Sequence, residues 1–259
     1  KLVSPFILRR TKKQVLKDLP DKVEKDMWLN FSPEEKQLYL ANLAQVNEQL
    51  QQQLELQQVD SILIIAMMTR LRQICCEPRM LYENYKGEST KFTMCLDLIE
   101  TLKENGKKVL LFSSFTSIFD SFIEEFNQRG IKYHMITGAV DKKKRKEEVD
   151  AFQNDDSDVF LISLKAGGTG LNLTKAQAVI HYDPWWNVSA QNQATDRAYR
   201  IGQTKNVLVY QLLMKNTIEE KIYEMQKRKK EMSDVFVENS KGGISTLSKE
   251  ELRDLFSME

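Results

Sequence analysis

The chain has 259 residues, of which 41% are hydrophobic and 29% charged, and its formal net charge at pH 7 is +1. This is the composition of an ordinary globular protein with one domain and an appendage or with two small domains, and because basic and acidic residues nearly cancel, nucleic-acid binding would have to depend on local patches. The three cysteines form no C-x-x-C pair and the two histidines are isolated, which argues against a disulfide framework or a zinc site and fits a reducing compartment.

The sequence indicates neither a signal peptide nor a membrane span. The N-terminus lacks the signal-peptide pattern, and no apolar run approaches the ~20 residues that a membrane span requires. We therefore expect an intracellular protein without a membrane partner. The first residue is Lys1 rather than Met, and LVSPFILRRTKK begins in the middle of a motif, so we expect the chain to be a piece of a longer protein.

The first 90 residues predict a helical hairpin. Ser32 is a suitable N-cap, Pro33 and Glu34 suit a first turn, and apolar residues at helical spacing continue to about Gln58. A second helix is predicted from Ser61 to Cys75.

From Lys91 onward, short apolar runs alternate with amphipathic or charged segments, and Gly, Asn or Asp marks each change. This rhythm is typical of a parallel α/β sheet, and near-continuous Val, Ile and Leu predicts strands buried on both faces. The predicted strands are Lys108–Phe112, Tyr133–Ile136, Val159–Ser163, Ala178–Tyr182 and Val207–Leu213. The predicted helices are Phe92–Asn105, Ser117–Arg129, Lys142–Asn154, Ala190–Tyr199 and Ile218 to about Glu238.

The number of crossovers fits an α/β fold with a RecA-like parallel sheet flanked by helices, which we assign to residues 91–216. Residues 217–259 are predicted to form a C-terminal helical tail. Within it, Lys241, Gly242 and Gly243 predict a hinge, and a capping pattern from Ser248 to Glu251 predicts a short final helix packed back on the body.

A glycine-rich turn follows the predicted strand VFLIS in VFLISLKAGGTGLNL, residues 159–173. Gly167, Gly168 and Gly170 would let the backbone come close to a ligand. A dinucleotide-binding fingerprint is not favoured, because Leu173 stands in the place of its third glycine and no acidic residue closes a following strand at the required distance. A purely structural turn remains the alternative for this segment taken alone.

Polar residues follow other predicted strands. Ser113 and Ser114, at the end of KVLLFSS, suit backbone phosphate at the N-terminus of the next helix, and an ordinary helix cap is the alternative. Thr137 and Gly138 precede the basic run DKKKRKEE, which suits either a phosphate or a solvated helix face.

HYDPWWN, residues 181–187, places two tryptophans at the end of a predicted strand. One of them can stack on a base or sugar while the other packs in the core, although core packing of both is the alternative. His181 is predicted to be a satisfied strand-end histidine rather than a ligand or base.

Two arginines lie one helical turn apart in QNQATDRAYRIGQ, residues 191–203. Arg197 and Arg200, at i and i+3, are predicted to share a helix face, and paired guanidinium groups suit the charge that builds up on a transferring phosphoryl group. The sequence contains no G-x-x-x-x-G-K-[ST] loop to hold a triphosphate and magnesium. It therefore predicts half of an ATPase site.

Taken together, these segments resemble the C-terminal helicase lobe of the Snf2 family, the DNA-translocating ATPases within helicase superfamily 2. KVLLFSS resembles motif IV, YHMITGAVDKKKR the glycine-containing motif after it, VFLISLKAGGTGLNL motif V and QNQATDRAYRIGQ motif VI. PFILRRTKKQVLKDLPDK resembles the connector into this lobe, and TRLRQICCEPRML resembles the helix before its sheet. By this resemblance, residues 1–90 are the connector and a short helical protrusion.

The resemblance implies roles for particular residues. Arg197 and Arg200 would be arginine fingers that reach a nucleotide across a cleft, and Gln193 would help to organise that site. The residues implied to lie along the nucleotide are Gly168, Gly170 and Asn172, with Gly168 also on the DNA side. The residues implied to contact DNA are Ser113, Ser114, Thr137, Gly138, Ser163, Lys165 and Trp186.

The resemblance also implies the partners. ATP and Mg²⁺ would be held mainly by an N-terminal RecA-like lobe of the same protein, and this chain alone would be inactive and would hold no metal. Closure and opening of the two lobes would move the protein along double-stranded DNA without strand separation, to remodel or displace a DNA-bound protein. A monomer is expected, and the short protrusion favours a bacterial cytoplasm or nucleoid over a nucleus.

Other functions stay open at this point. A strand-separating DNA or RNA helicase of the same superfamily would share the fold and both arginines, although AGGTGLNL and the final IGQ favour the Snf2 branch. A non-catalytic module would keep the fold and bind DNA or protein without turnover, although the intact arginines argue against it.

Overall fold

The computed structural model describes residues 20–55, 60–167, 171–185, 187–235 and 248–257, except for the side chains of residues 165, 167 and 229–235. The strands within this part of the chain are β1 (Lys22–Leu29), β2 (Val109–Ser113), β3 (Tyr133–Ile136), β4 (Val159–Ser163), β5 (Ala178–His181) and β6 (Val207–Met214). They form one six-stranded sheet in the order β1-β6-β5-β2-β4-β3. Every neighbouring pair is parallel, as the sequence predicts.

Helices connect and cover these strands. They are α1 (Pro33–Glu55), α2 (Ser61–Cys76), α3 (Thr90–Glu104), α4 (Ile118–Arg129), α5 (Lys142–Asn154), α6 (Leu164–Gly167), α7 (Val188–Thr195), α8 (Ile218–Val235) and α9 (Lys249–Leu255). A 3₁₀ turn, Pro78–Met80, follows α2. The predicted α/β fold, a parallel sheet flanked by helices, is confirmed.

The five strands predicted from apolar runs are all present, with ends shifted by one residue at most. Every residue of β2, β4 and β5 is buried. These strands lie inside the sheet and carry helices on both faces, which is the arrangement that produces continuous rather than alternating apolar runs.

The edge strand β1 was not among the predicted strands. It pairs with β6 along its whole length, from Lys22 opposite Val207 to Leu29 opposite Met214. Its sequence is KVEKDMWL, in which four of the first five residues are charged and all five are exposed. A charged edge strand discourages pairing with other molecules, and for the same reason it lacks the apolar run by which strands are detected.

Alternate residues of the strands build a core on each face of the sheet. On one face, Leu111 of β2 and Leu161 of β4 pack with α3 and α4. On the other face, Phe112 and Ile162 pack with α5 and α7. The sheet is therefore the middle layer of a three-layer α/β sandwich.

A further apolar cluster joins the N-terminal helices to the C-terminal ones. α1 and α2 pack against the start of α8 and against Leu252, Leu255 and Phe256 of the last helix and its C-cap. The capping box predicted for α9 is confirmed, because Ser248 Oγ accepts from Glu251 N at 3.1 Å and Glu251 accepts from Ser248 N at 2.7 Å. The hinge predicted at residues 241–243 lies outside the described residues.

A buried ion pair links α3 to α8. Lys91 Nζ lies 2.6 Å from Glu219 Oε1 and 2.5 Å from Oε2, and the two side chains are 1% and 0% exposed. Glu219 Oε2 also accepts from the backbone N–H of Met214 at 2.9 Å. The pair therefore connects the first helix of the sheet region to the helix that leaves its last strand.

Replacing Lys91 should destabilise the protein strongly. In Lys91→Met, the Glu219 carboxylate stays buried without its cation, and removing one partner of a buried pair costs about 3–5 kcal/mol. Lys91→Met combined with Glu219→Gln should recover much of this loss, because the amide oxygen can still accept from Met214. Chemical denaturation of Lys91→Met, Glu219→Gln and the double variant measures the free energy of unfolding.

Lys132 provides the control, because its pair with Asp156 is exposed, with side chains 63% and 79% accessible. Lys132→Met should leave the free energy of unfolding nearly unchanged. A Lys91→Met variant as stable as the wild type, or a double variant less stable than either single one, would contradict the account.

Candidate functional site

The predicted polar residues come together at one edge of the sheet. Because all strands are parallel, their carboxyl ends share this edge, which we call the carboxyl edge. β2 and β4 end side by side at Ser113 and Ser163. Thr137 and Gly138 follow β3, which lies next to β4. Ligands bind beyond the carboxyl ends of strands in open α/β sheets, so this edge is the candidate site.

Accessibility differs along the carboxyl edge. Gly138 is exposed and Thr137 is half-buried. A Cβ atom added to Gly138 would meet no atom within 4 Å, so there is open space beside it. Ser163 is buried, and its Oγ accepts from the backbone N–H of Ala166 at 3.3 Å. Thr137 and Gly138 are therefore accessible to a ligand, whereas the Ser163 hydroxyl is engaged in the turn into α6.

A buried carboxylate organises the centre of the carboxyl edge. Asp183, which is 1% exposed, accepts at Oδ1 from Ser113 Oγ at 2.7 Å and from Ser114 N at 3.0 Å. Its Oδ2 accepts from Arg72 Nη2 at 2.7 Å and from the Ser114 hydroxyl. A buried charge is costly unless it is paired and hydrogen-bonded, and Asp183 is both.

The geometry gives the two serines a different role from the predicted phosphate contact. The Ser113 side chain is fully buried and its hydroxyl donates to Asp183, so it does not reach the surface. An ionised acceptor lies next to Ser113 and takes its hydrogen bond, and its contact with DNA stays a prediction. Ser114 is half-buried, and its contact with DNA stays a prediction.

The loop that follows β5 is held at several points. Trp185 N donates to Gln191 Oε1 at 3.4 Å, and Trp185 O accepts from the Gln226 side chain on α8. Asn187 caps α7, because its Oδ1 accepts from Ser189 N at 3.0 Å and from Ala190 N at 3.3 Å. Trp186 lies outside the described residues. We call residues 183–187 the β5 loop.

Arg197 and Arg200 lie beyond the helix in which they were expected. The predicted helix over Ala190–Tyr199 is wrong at both ends, because α7 runs from Val188 to Thr195. The backbone N–H of Arg197 donates to the carbonyl three residues earlier, and the Arg197 carbonyl accepts from Leu173 N at 3.1 Å. The chain tightens into turns at Asp196, because the Arg197 carbonyl accepts from Leu173 of the neighbouring loop instead of from the next helical turn.

Side-chain contacts fix this arginine-bearing turn segment. Gln203, which is 6% exposed, donates from Nε2 to Ala176 O at 2.8 Å and to Ala198 O at 3.2 Å. Gly202 has φ +97°, in the left-handed region that glycine adopts without a steric penalty. Arg200 Nη1 donates to Leu171 O at 3.3 Å. The two predicted motifs, V and VI, are thus joined directly by hydrogen bonds.

The two arginines influence each other electrostatically. Partial burial lowers the pKa of Arg197, and the nearby positive charge of Arg200 lowers it further, while Asp196 opposes the shift. Both side chains are half-buried. Two cations held close together at a partly buried position favour an anion that would relieve their repulsion.

The remaining predicted residues have varied positions. Gln193 on α7 and Asn172, just before the segment bonded to Arg197, are both exposed. Gly168 and Gly170 lie outside the described residues. The backbone of Lys165 lies in α6, next to the carboxyl end of β4. Roles for all five residues stay predictions.

A cavity of about 210 Å³ lies between the sheet, α7 and α8, and neither arginine lines it. His181 and Gln211 contribute to its wall. His181 Nε2 lies 2.8 Å from Thr195 Oγ1, but among the described residues neither His181 Nδ1 nor Gln211 Nε2 has a hydrogen-bond partner. The expectation of a satisfied histidine therefore holds for one ring nitrogen only.

Three residues that build the site were not predicted. Arg72 and Asp183 form the buried pair at the carboxyl edge, and Gln203 anchors the arginine-bearing turn segment. Asp183 and Gln203 belong to the strings HYDPWWN and QNQATDRAYRIGQ, and Arg72 to TRLRQICCEPRML. The strings indicate that these residues matter, but a linear pattern does not pair residues that are 111 positions apart, as Arg72 and Asp183 are.

The described residues include neither a membrane-spanning helix nor a metal-binding cluster. No helix there is long and apolar enough to cross a membrane. No group of three or more His, Cys, Asp or Glu side chains in that part of the chain could hold a metal ion.

Comparison with known proteins identifies the class. The family model described as helicase conserved C-terminal domain matches residues 90–202, and that described as SNF2-related domain matches residues 1–80. An uncharacterized ATP-dependent helicase of Mycoplasma pneumoniae is 39% identical over 257 residues, which are 98% of this chain and 24% of that protein.

Solved structures agree. The Sulfolobus solfataricus SWI2/SNF2 ATPase core in complex with dsDNA is similar with a TM-score of 0.75 and 32% identity, covering 100% of this chain and 55% of that one. The SWI2/SNF2 ATPase C-terminal domain of the same organism has a TM-score of 0.73 and 26% identity, covering 92% of this chain and 100% of that one.

The fold is that of the RecA-like C-terminal domain of SWI2/SNF2 proteins. The chain belongs to the Snf2 family, as the sequence motifs indicate. It spans about a quarter of the length of the M. pneumoniae relative.

The buried His181 should make the protein less stable in mild acid. Burial lowers its pKa to about 4, an effect that Asp183 and Glu24 oppose and Lys22 adds to. Between about pH 6.5 and 4, the histidine is protonated in the unfolded chain, where its pKa is near 6.5, but stays neutral in the folded chain. The free energy of unfolding therefore falls as the pH drops through this range. Equilibrium unfolding at several pH values measures the slope.

His181→Gln should flatten this slope, because it removes the titrating group. His134→Gln removes the other histidine, on β3, and should keep the slope that His181 causes. Equal slopes in wild type and His181→Gln would contradict the buried neutral histidine.

Proposed function

We propose that this chain is the C-terminal half of a DNA-dependent ATPase site. Arg197 and Arg200 act on ATP held by another RecA-like lobe of the same protein, and the carboxyl edge contacts the backbone of double-stranded DNA. Cycles of closure and opening move the protein along the duplex and displace or remodel a DNA-bound protein.

The observation that carries the nucleotide part is the arginine pair. The two guanidinium groups are held close enough for Arg200 to lower the pKa of Arg197, on a segment fixed by Gln203 and by the bond to Leu171. Preorganised cations stabilise the charge that develops during phosphoryl transfer, because little reorganisation is needed when the charge appears.

Among the described residues, Arg197 and Arg200 suit an incoming triphosphate. A polyanion would relieve the repulsion between Arg197 and Arg200, and both side chains are partly accessible. The described residues contain no carboxylate cluster for Mg²⁺, so no step is assigned to the ion here. ATP supplies the γ-phosphoryl group, while Gln193, Gly168, Gly170 and Asn172 remain proposed neighbours of the nucleotide.

The DNA part is supported by the carboxyl edge and by one relative. Thr137 and Gly138 are accessible beside the N-terminus of α5, where Asp141 caps the helix and a basic run begins. The N–H groups of Lys143 and Lys144 donate to the Asp141 carboxylate, so the lysine side chains of this run are the groups that suit a phosphate. The S. solfataricus SWI2/SNF2 ATPase core is solved in complex with dsDNA. We extend this partner to Ser114, Thr137, Gly138, Ser163, Lys165 and Trp186 of this chain.

The wider assignment follows from the same proposal. Residues 91–216 are the RecA-like core, residues 1–90 the connector and protrusion, and residues 217–259 the tail extension. The protein works as a monomer in a bacterial cytoplasm or nucleoid, in keeping with its similarity to a Mycoplasma protein. A strand-separating helicase is the second candidate, because that relative is described as an ATP-dependent helicase.

Removing one arginine should abolish most ATP hydrolysis. In the longer protein that contains this chain, Arg200→Ala should lower kcat roughly 10³-fold, because arginine fingers contribute about 10³ to 10⁵ in other phosphoryl-transfer enzymes. Duplex DNA binding should be retained, because the DNA contacts lie on the carboxyl edge. Steady-state hydrolysis with saturating DNA, and DNA binding in a gel-shift experiment, measure the two effects.

Arg228→Ala is the matched control. Arg228 on α8 is exposed and contacts only Glu224 among the described ion pairs, at 3.7 Å. This variant should hydrolyse ATP at the wild-type rate. Full activity of Arg200→Ala would refute the assigned role, and loss of DNA binding together with activity would point to misfolding.

A further inference from the structure

Arg72 links the protrusion to the β5 loop. It lies on α2, in the helical pair outside the sheet, yet its side chain is only 7% exposed and ends at the carboxyl edge. Its Nη2 lies within hydrogen-bond distance of three oxygens: Asp183 Oδ2 and Ser114 Oγ at 2.7 Å, and Pro184 O at 3.0 Å. One guanidinium group thus contacts the end of β2 and the first two residues of the β5 loop.

Aromatic rings enclose the same guanidinium. Its Cζ lies 4.9 Å from the centroid of the Phe115 ring and 6.0 Å from that of the Trp185 ring. The planar guanidinium group stacks on aromatic faces, which a lysine ammonium does not reproduce. The rings therefore favour arginine at this position.

The β5 loop has few other anchors. Trp185 is held by Gln191 and Gln226, and Asn187 by the start of α7. Asp183 and Pro184 depend on Arg72 and the two serines. Loss of Arg72 would leave the Asp183 carboxylate buried without a cation, and the first part of the loop would have to move to rehydrate it.

A second arginine on the same helix gives a contrast. Arg70 is exposed, and it donates to Asn42 Oδ1 at 2.7 Å and to Tyr82 Oη at 3.1 Å. These partners lie on α1 and just after α2. Arg70 therefore supports the protrusion internally, whereas Arg72 connects the protrusion to the carboxyl edge.

We propose that Arg72 is a positioning residue for DNA engagement: it sets the conformation of the β5 loop, and with it the fit between this loop and the DNA backbone. Trp185 follows Pro184 directly in this loop, so a shift at Asp183 and Pro184 is passed to Trp185. The protrusion thereby influences how the β5 loop contacts DNA, although Arg72 itself does not touch DNA. The proposal rests on the proposed function for its DNA part.

Fluorescence tests the positioning independently of DNA. The chain has three tryptophans, and Trp28→Phe leaves only those of the β5 loop. In this background, Arg72→Met should shift the emission maximum and increase iodide quenching, because the loop opens to water. Arg70→Met in the same background should leave both unchanged, although it also removes hydrogen bonds of α2. Circular dichroism and the Tm establish that the variants are folded.

Kinetics test the consequence in the longer protein. Arg72→Met should raise the duplex concentration that gives half-maximal stimulation of ATP hydrolysis about tenfold, because a small misplacement of contacting groups weakens their effect. The KM for ATP should change less than twofold. Arg72→Lys keeps the charge but not the fork, so it should shift both readouts in the same direction by less, and it carries the test if Arg72→Met does not fold.

The outcomes separate the alternatives. Unchanged tryptophan emission in both Arg72 variants would overturn the proposal. A KM for ATP that rises as much as the half-saturating DNA concentration would overturn it too, since that result indicates a general loosening of the protein. A wild-type protein that does not respond to DNA would refute the proposed function, while the emission comparison would still decide whether Arg72 positions the loop.

Discussion

The candidate site depends on the neutralisation of one buried charge. Asp183 lies at the carboxyl end of β5 with almost no exposure, and its two oxygens accept from Arg72, Ser113 and Ser114. A carboxylate in this position is tolerated only with such partners. The requirement fixes three separate parts of the chain against each other: the helix α2, the end of β2 and the loop that carries the tryptophans.

The arginine-bearing turn segment shows a related principle. A continuing α-helix would use the carbonyls of Arg197 and Ala198 within itself, but here they accept from Leu173 and Gln203. These bonds stop α7 at Thr195 and tie the arginines to the loop after α6. The backbone N–H of Leu173 and the Gln203 side chain thus hold in place the segment that carries the two like charges.

The sequence predicted the central strands well because they are buried on both faces and therefore read as continuous apolar runs, such as VFLIS of β4. It failed for β1, whose charges protect a sheet edge, and for the end of α7, where a distant backbone donor, Leu173, overrides local helix preference. Serine is a residue type that suits phosphate, but the Ser113 hydroxyl donates to Asp183, which only the fold brings near it. Long-range pairs such as Arg72 with Asp183 have no local signal.

The central claim is that this Snf2-family lobe forms half of an ATPase site that responds to duplex DNA. The most direct measurement is ATP hydrolysis by the longer protein with no DNA, with duplex DNA and with single-stranded DNA, alongside residues 1–259 alone. We expect strong stimulation of ATP hydrolysis by the duplex and no turnover by the isolated chain. Stimulation by single strands only would favour a strand-separating helicase, and hydrolysis by the isolated chain, or none by the longer protein, would contradict the account.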